Sequence, residues 1–466
     1  MTQEPRSVAV IGGGLSGLSA ACALADAGLH ITLFERRPYL GGRASSYQHP
    51  GTNEVVDNCQ HVLLGCCTNL LDFYRRFGAE QKIAWFDQLY FIEPGSRCST
   101  LAPSRFPAPF HNTLAFLHAQ FLDFADKDAI ARAMLRFMDG IPADSDESFL
   151  SWLERHGQTP RSIERFWKPV LVSALNEDLD RASVHYAAQV FRESFLKSPP
   201  AGRMGVPRVP LSDLYATAAD YIRARGGEVH CRAAVRSIAP SGDAVRITTD
   251  DRELTFDAAV LAVPFEAVGE LLPQAPESAP LRAQLAQLEH SPITGIHLWF
   301  DRRITELPHA VLLDRTIQWL FHKSLIQEGR SAQGSYVELV VSSSKSLVNM
   351  QRQEIIDLAL AELKEFFPEA RAASLVKATV IKEVCATYSA KPASDQFRPK
   401  TETAWPNLFL AGDYTLTGWP ATMEGAVRSG YRAAEAVTKF AGTPRAFRVP
   451  DLPATGLMRL FNRTNH

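Results

Sequence analysis

The chain has 466 residues, enough for two or three domains each with its own core, and its 49 Lys and Arg nearly balance 51 Asp and Glu for a net charge of −2. The absence of a long basic run argues against nucleic-acid binding, and seven scattered cysteines without a CxxC pair argue against a disulfide frame or a zinc site. A content of 26 Phe against 11 Tyr and 7 Trp favours dry internal surfaces over hydrogen-bonding ones.

Residues 8–11 form a short β-branched run, and glycines follow at Gly12, Gly14 and Gly17. Residues 15–27, opening with Leu15 and Ser16, are rich in Ala and Leu, Gly28 ends them, and residues 30–34 read as a second strand. Strand, tight turn, helix and strand in this order form a dinucleotide-binding unit. Gly12 permits the turn, Gly14 lets the backbone approach a pyrophosphate, and Gly17 brings the helix against the strand. Glu35 stands where an acid takes both ribose hydroxyls and disfavours the 2′-phosphate of NADP; Arg36 follows it. The glycines by themselves suit NAD, NADP or FAD.

Further along come "LGGR", with Gly42 and Arg43, and "DNCQHVLLG" at 57–65, which carries Asp57 and His61. The adjacent Cys66 and Cys67 can be a redox pair or, the commoner case, two small buried apolar residues. Residues 106–139 and 166–195 show helical patterns crowded with Phe, Leu and Met, suited to core packing, to an apolar tunnel wall or to a membrane-facing helix. Residues 226–264 alternate apolar and polar like a run of strands and include Val235. Near the end stand "GDYTLTGWPATMEGAVRSG" at 412–430 and a tail ending "GLMRLFNRTNH", a second candidate for membrane contact.

The glycine turn, the "LGGR" segment and the "AGDYT…MEGA" segment together resemble the FAD-dependent amine oxidase and phytoene desaturase superfamily. That resemblance implies FAD, with Gly42 and Arg43 along the diphosphate and flavin, Val235 holding adenine through its backbone, and Gly412 and Asp413 near the pyrophosphate and ribityl chain. Met423, Glu424, Gly425 and Ala426 then set a helix N-terminus against the flavin pyrimidine. The implied fold class is α/β: a discontinuous Rossmann-type FAD domain from residues 1–80, 205–290 and 395–445. A mixed α+β substrate domain with a helical cap comes from 81–204 and 291–394, and 446–466 form the tail.

Within the superfamily, "DNCQHVLLG", "KPVLVSALNEDLDRAS", "VPRVPLSDL" and the 412–430 segment resemble the bacterial hydroxysqualene dehydroxylases. Cys59 departs from that pattern, where glycine is expected. The resemblance implies reduction of hydroxysqualene, an apolar isoprenoid, to squalene, with hydride from reduced flavin and a proton for the leaving hydroxyl. Asp57 and His61 are the candidate proton donors, with Glu177 more remote. No second glycine motif with a following acid is present, so NADPH would react transiently at the flavin or another external reductant would serve. The rival readings are an oxidase or desaturase of an amine, porphyrinogen or carotenoid, with Tyr414 and Trp419 as part of an amine cage, a redox-neutral flavin isomerase, and a lipid carrier. With no signal peptide and no apolar run of about 18 residues, a cytoplasmic protein is expected; peripheral attachment to the inner face of the membrane and association with the upstream squalene-pathway enzymes stay open.

Overall fold

The computed structural model describes residues 6–329 and 334–461; the last five residues of the tail, 462–466, lie outside the described residues. The chain adopts an α/β fold built around two sheets. The first is a five-stranded, wholly parallel sheet in the order Glu228–Cys231, His30–Glu35, Ser7–Ile11, Ala258–Leu261, Leu408–Leu410. Three segments far apart in sequence therefore build one dinucleotide-binding sheet. The strands Ser7–Ile11, Ala258–Leu261 and Leu408–Leu410 are almost wholly apolar because both faces are covered, one by helices and the other by the antiparallel strands that follow Glu228–Cys231. On one face lies the helix Leu15–Asp26, whose small side chains let the C-terminal helix Met423–Phe440 pack closely against it.

Between Glu228–Cys231 and Ala258–Leu261 the chain makes an antiparallel three-stranded meander, Val235–Ser241, Ala244–Thr249 and Glu253–Phe256. The expected run of strands is present, but only its first and last members join the parallel sheet.

The second large sheet has seven strands. Leu375–Tyr388, His290–Phe300, Ser335–Ser342, Trp319–His322 and His309–Leu312 are antiparallel neighbours, and Leu89–Ile92 with Cys98–Leu101 complete it. Leu89–Ile92 pairs in parallel with His309–Leu312, Phe91 opposite Val311, so two inserts separated in sequence share one sheet. A smaller sheet joins Met204–Pro207 to Ile83–Phe86 and Leu63–Leu64, which places paired strands on both sides of the boundaries expected at 80 and 205.

The cap is helical. Phe124–Asp139 begins with a reciprocal capping pair, Asp123 and Asp126, and packs Ile130, Phe137 and Met138 inward. Phe137, Phe149, Trp152, Trp167 and Phe191 stack into an aromatic core, with the Trp167 indole donating to Gln158 Oε1 at 2.7 Å. The aromatic crowding of 106–139 and 166–195 thus serves core packing first. A different set points outward: Phe106, Phe110, Leu114 and Leu117 are exposed, as are Leu457, Leu460 and Phe461. These two groups are neighbours, since Leu457 N–H donates to Ala108 O at 2.9 Å.

Candidate functional site

One large cavity, about 590 Å³, runs from the edge of the parallel sheet into the space between the cap helices and the seven-stranded sheet. At its first end the glycine turn is fixed by Gly12 N–H donating to Phe34 O and Gly41 N–H donating to Gly13 O, both at 2.8 Å. Gly12 has φ +108°, and a Cβ there would lie 2.4 Å from Ala262 O, so only glycine fits. Gly12, Gly14, Leu15 and Ser16 line the cavity at a helix N-terminus whose first N–H groups have no intrahelical partner. Glu35 lines it too, and its carboxylate accepts from Gly13 N and Arg37 N at 2.7 and 2.8 Å, tying the turn to the second strand.

The other expected cofactor residues converge on the same space. Arg36, Gly42, Arg43, Val235, Gly412, Asp413, Met423 and Ala426 all line it. Gly42, at φ +60°, is close enough to Gly14 that a Cβ would reach its Cα at 2.9 Å. Arg43 donates to Asp413, joining the two segments. A bulge beside Val235 takes its backbone out of the regular ladder. Thr422 caps the helix Met423–Phe440 by accepting from Gly425 N–H at 3.1 Å, which aims that N-terminus at the cavity.

Three expected site residues act otherwise than by facing a ligand. Gly17 is absent from the lining; a Cβ would stand 1.9 Å from Gly12 O, so its place is in helix-to-turn packing. Gly425 also lies behind the wall, where a Cβ would meet Pro420 O at 2.6 Å. Glu424 borders the cavity, but its carboxylate turns away and accepts from Asn69 N, Leu70 N and Arg428 Nε at 3.1, 2.8 and 2.6 Å. It thereby supplies the missing cap of the helix Thr68–Arg76.

The cradle fits an extended dinucleotide: two helix N-termini, a glycine turn that a methyl would fill, and an acid beside the ribose position meet in one cavity. Gly12, Gly14, Glu35, Arg43, Val235 and Asp413 would hold FAD there.

The second end of the cavity is apolar, with Leu89, Phe91, Val170, Trp319, Phe321 and Val340 among its walls. The loop 58–62 crosses between the two ends and contributes Asn58, Cys59, Gln60, His61 and Val62. Cys59 has no positive φ, so the loop takes a side chain where glycine was expected, and its thiol is buried. Cys66 and Cys67 line the wall as free thiols.

Of the expected proton donors, Asp57 is corrected by the structure. Its carboxylate is buried outside the cavity lining and accepts from Lys323 Nζ at 2.6 Å, Gln327 Nε2 at 3.2 Å, Leu211 N at 3.2 Å and Ser46 Oγ. Burial pushes its pKa up, but the Lys323 ammonium and these hydrogen bonds outweigh it and hold Asp57 below the usual carboxylate range, as an anion with no proton to give. His61 does line the cavity. Its Nδ1 meets Cys59 O at 2.8 Å, so Nδ1 carries the hydrogen, and burial holds its pKa below the ordinary imidazole value. The neutral ring accepts a proton more readily than it gives one. Glu177 is fully buried away from the cavity, bound by Lys345 and Ser389.

Tyr414 and Trp419 do not form a cation cage. Trp419 lines the cavity, with the Arg428 guanidinium 4.7 Å over its ring, but Tyr414 is buried behind the wall, so the two rings do not face one site. Sequence reasoning missed Lys323 and Glu338, which meet behind the loop 58–62 at 3.1 Å. The available signal was Glu338 as the lone charge in an apolar strand run and Lys323 as the lone charge directly after another, because a buried charge needs a partner. Among the described residues there is no His, Cys, Asp and Glu group able to hold a metal ion, and no helix long and apolar enough to cross a membrane.

Comparison with known proteins agrees with this cradle. The model of the flavin containing amine oxidoreductase family matches residues 15–438, and the chain belongs to that family. A 15-cis-phytoene desaturase of Synechococcus elongatus is 27% identical over 454 residues, covering 92% of this chain and 95% of its own length. A probable zeta-carotene desaturase of the same organism is 28% identical, with 92% and 98% covered. Among solved structures, an oxidoreductase from Methanosarcina mazei superposes with a TM-score of 0.72 at 19% identity, over 91% of this chain and 98% of that one. Cyclohexylamine oxidase from Brevibacterium oxydans gives 0.69 at 16% identity, over 94% and 100%. The family implies FAD, and the protein is an FAD-dependent oxidoreductase.

Proposed function

We propose that this oxidoreductase acts on a long isoprenoid and catalyses the reductive dehydroxylation of hydroxysqualene to squalene. One observation carries the substrate class: the cavity continues from the dinucleotide cradle into walls of Leu89, Phe91, Val170, Trp319, Phe321 and Val340. An apolar chain laid there is stabilised by burial, by about 25 cal/mol for each Å² removed from water. FAD bound in reduced form supplies hydride. The residues of this chain do the rest: the glycine turn and the Arg43–Asp413 pair orient the cofactor, and the apolar walls exclude water from the reacting carbon. In the net change a C–O bond breaks, a C–H bond forms, and one proton converts the leaving hydroxide to water. An external reductant, NADPH or another, restores the flavin. The choice of hydroxysqualene rests on the motifs at 57–65, 168–183, 206–214 and 412–430.

Carotenoid desaturation is the second reading, favoured by the two Synechococcus relatives. It uses the same cavity with hydride moving from lipid to oxidised flavin. Amine oxidation is disfavoured by the positions of Tyr414 and Trp419. For delivery of an insoluble substrate, the exposed side chains of 106–117 and 457–461 form a peripheral contact with the cytoplasmic membrane.

The experiment is anaerobic incubation of FAD-loaded, chemically reduced protein with hydroxysqualene, followed by mass analysis of the lipid and a flavin spectrum. Squalene formed in step with flavin reoxidation supports the dehydroxylase. Unchanged lipid overturns it, and oxidised protein extending the conjugation of phytoene would install the desaturase instead.

A further inference from the structure

The proposed reaction consumes a proton that Asp57 cannot give and His61 does not hold. Behind the cavity wall lies a carboxyl that no motif singled out. Glu338 stands in the strand Ser335–Ser342 and is fully buried, on the same face as Val340 and Ser342, which line the cavity. Its cross-strand neighbours are His297 and Phe321, and Phe321 also lines the cavity. In front of it runs the loop 58–62.

Charge counting decides its state. Lys323 Nζ is 2.6 Å from Asp57 Oδ2, 2.9 Å from Gln60 Oε1 and 3.1 Å from Glu338 Oε2, so one buried ammonium serves two buried carboxyls. Asp57 has further donors in Ser46, Leu211 and Gln327. Glu338 has fewer donors to answer it, the Lys323 ammonium and the Gln60 backbone N–H. Two carboxylates in a dry site with one cation cannot both stay ionised cheaply, and the better-solvated one takes the charge. Burial and the Asp57 charge, opposed by Lys323, accordingly push Glu338 up to about 7. The remaining groups facing this site are the Cys59 thiol, raised well above its usual value by burial, His297, His61 and the carboxylate of Glu383, which lines the cavity and accepts from Asn58 Nδ2 at 3.5 Å.

We infer that Glu338 is the proton store of the cavity, holding through its placement beside Lys323 and Asp57 the proton that the loop 58–62 delivers to the leaving hydroxyl. Loss of that proton leaves a Glu338 carboxylate against Lys323 and gives water from hydroxide; solvent protons refill the site between turnovers. Glu338 does not touch the substrate. It acts through the Cys59 thiol, which lines the cavity and packs in one cluster with Phe321 and Val340, the neighbours of Glu338: the thiol gives its proton to the leaving hydroxide and takes up the one Glu338 holds. Use of the proton rests on the dehydroxylase reading; its presence does not.

The test begins without substrate. Infrared titration of the FAD-loaded protein should show a protonated-carboxyl band that disappears as pH rises through about 7 and is missing from Glu338→Gln. Because the folded value lies above the unfolded one, the associated stability is present at low pH and lost as pH rises through the folded value. Thermal unfolding of Glu338→Gln should therefore lose less stability across that window than wild type. A band that survives in Glu338→Gln, or is absent from wild type in acid, overturns the store. Should the variant fail to fold, carbon-13 NMR of glutamate carboxyls in wild type reads the same titration, and the absence of any glutamate titrating near neutrality overturns the store. With hydroxysqualene, Glu338→Gln should slow turnover roughly a hundredfold and lose the fall in rate as pH rises through about 7. A titrating Glu338 in a protein that makes no squalene discards the reaction and keeps the store; an unchanged profile in Glu338→Gln discards the store and keeps the reaction.

Discussion

The guanidinium of Arg43 donates to the carboxylate of Asp413, 370 residues along the chain, and so fastens the two ends of the sequence across one cavity. Burial lowers the pKa of Arg43, and the Asp413 charge outweighs that and holds it above its ordinary value. Asp413→Asn keeps the shape and removes the charge. A hydrogen bond to a charged group contributes about 1.5–3 kcal/mol, so FAD affinity should fall roughly 10- to 100-fold. Equilibrium dialysis with flavin fluorescence measures it; an unchanged dissociation constant would divorce the pair from cofactor holding.

Gly430 lies where the helix Met423–Phe440 crosses Leu15–Asp26, and a Cβ there would stand 2.1 Å from Ser19 Oγ and 2.2 Å from Ser16 O. Gly430→Ala must push the two helices apart at the mouth of the cradle. We expect a destabilisation of about 3 kcal/mol, read from the urea midpoint at fixed FAD concentration. A midpoint equal to wild type would show that the helices have slack.

Lys323→Met strips Asp57 of its ammonium while leaving the carboxyl buried. Breaking a buried pair on one side costs about 3–5 kcal/mol. The folded pKa of Asp57 lies below its ordinary value of 3.8, so the pair stabilises above the ordinary carboxylate range and the contribution is lost as pH falls through the folded value. The deficit of the variant should thus be greatest near neutrality and shrink in acid, and Asp57→Asn in the same chain should recover part of it. Denaturant unfolding at several pH values tests this; a deficit independent of pH would mean that lost packing, not charge, is responsible.

The apolar patch predicts partition onto lipid. Replacing Phe110, Leu114 and Leu460 with serine removes side chains each worth about 1.5–3 kcal/mol on full burial. Binding to vesicles containing anionic lipid should fall at least roughly tenfold per residue at full insertion, with the urea midpoint little changed. Sedimentation with vesicles decides, and equal pelleting of the variant would assign the patch another role.

The cofactor half of the molecule was legible because its determinants are local: glycines spaced to a turn, β-branched runs, and an acid at the end of the second strand. Tyr414 and Trp419 looked like a cage because adjacency in sequence says nothing of which way rings face. Asp57 was read as a proton donor and not as a locked anion, since Lys323 lies 266 residues away and nothing near Asp57 announces it. Glu338 was visible only as an oddity, a charge among Val and Leu. The pairing of Leu89–Ile92 with His309–Leu312 had no local trace at all, because register between distant strands is decided by the packed whole.

That last pairing, with the closure of the cradle by residues 412–426, orders events during synthesis. When the glycine turn leaves the ribosome, its third strand, its arginine's partner and its second helix N-terminus are still hundreds of codons away. The nascent cap likewise waits for residues 309–312 before its sheet edge is paired. The cradle therefore cannot close domain by domain as the chain emerges, and only a nearly finished polypeptide offers the whole of it to a cofactor.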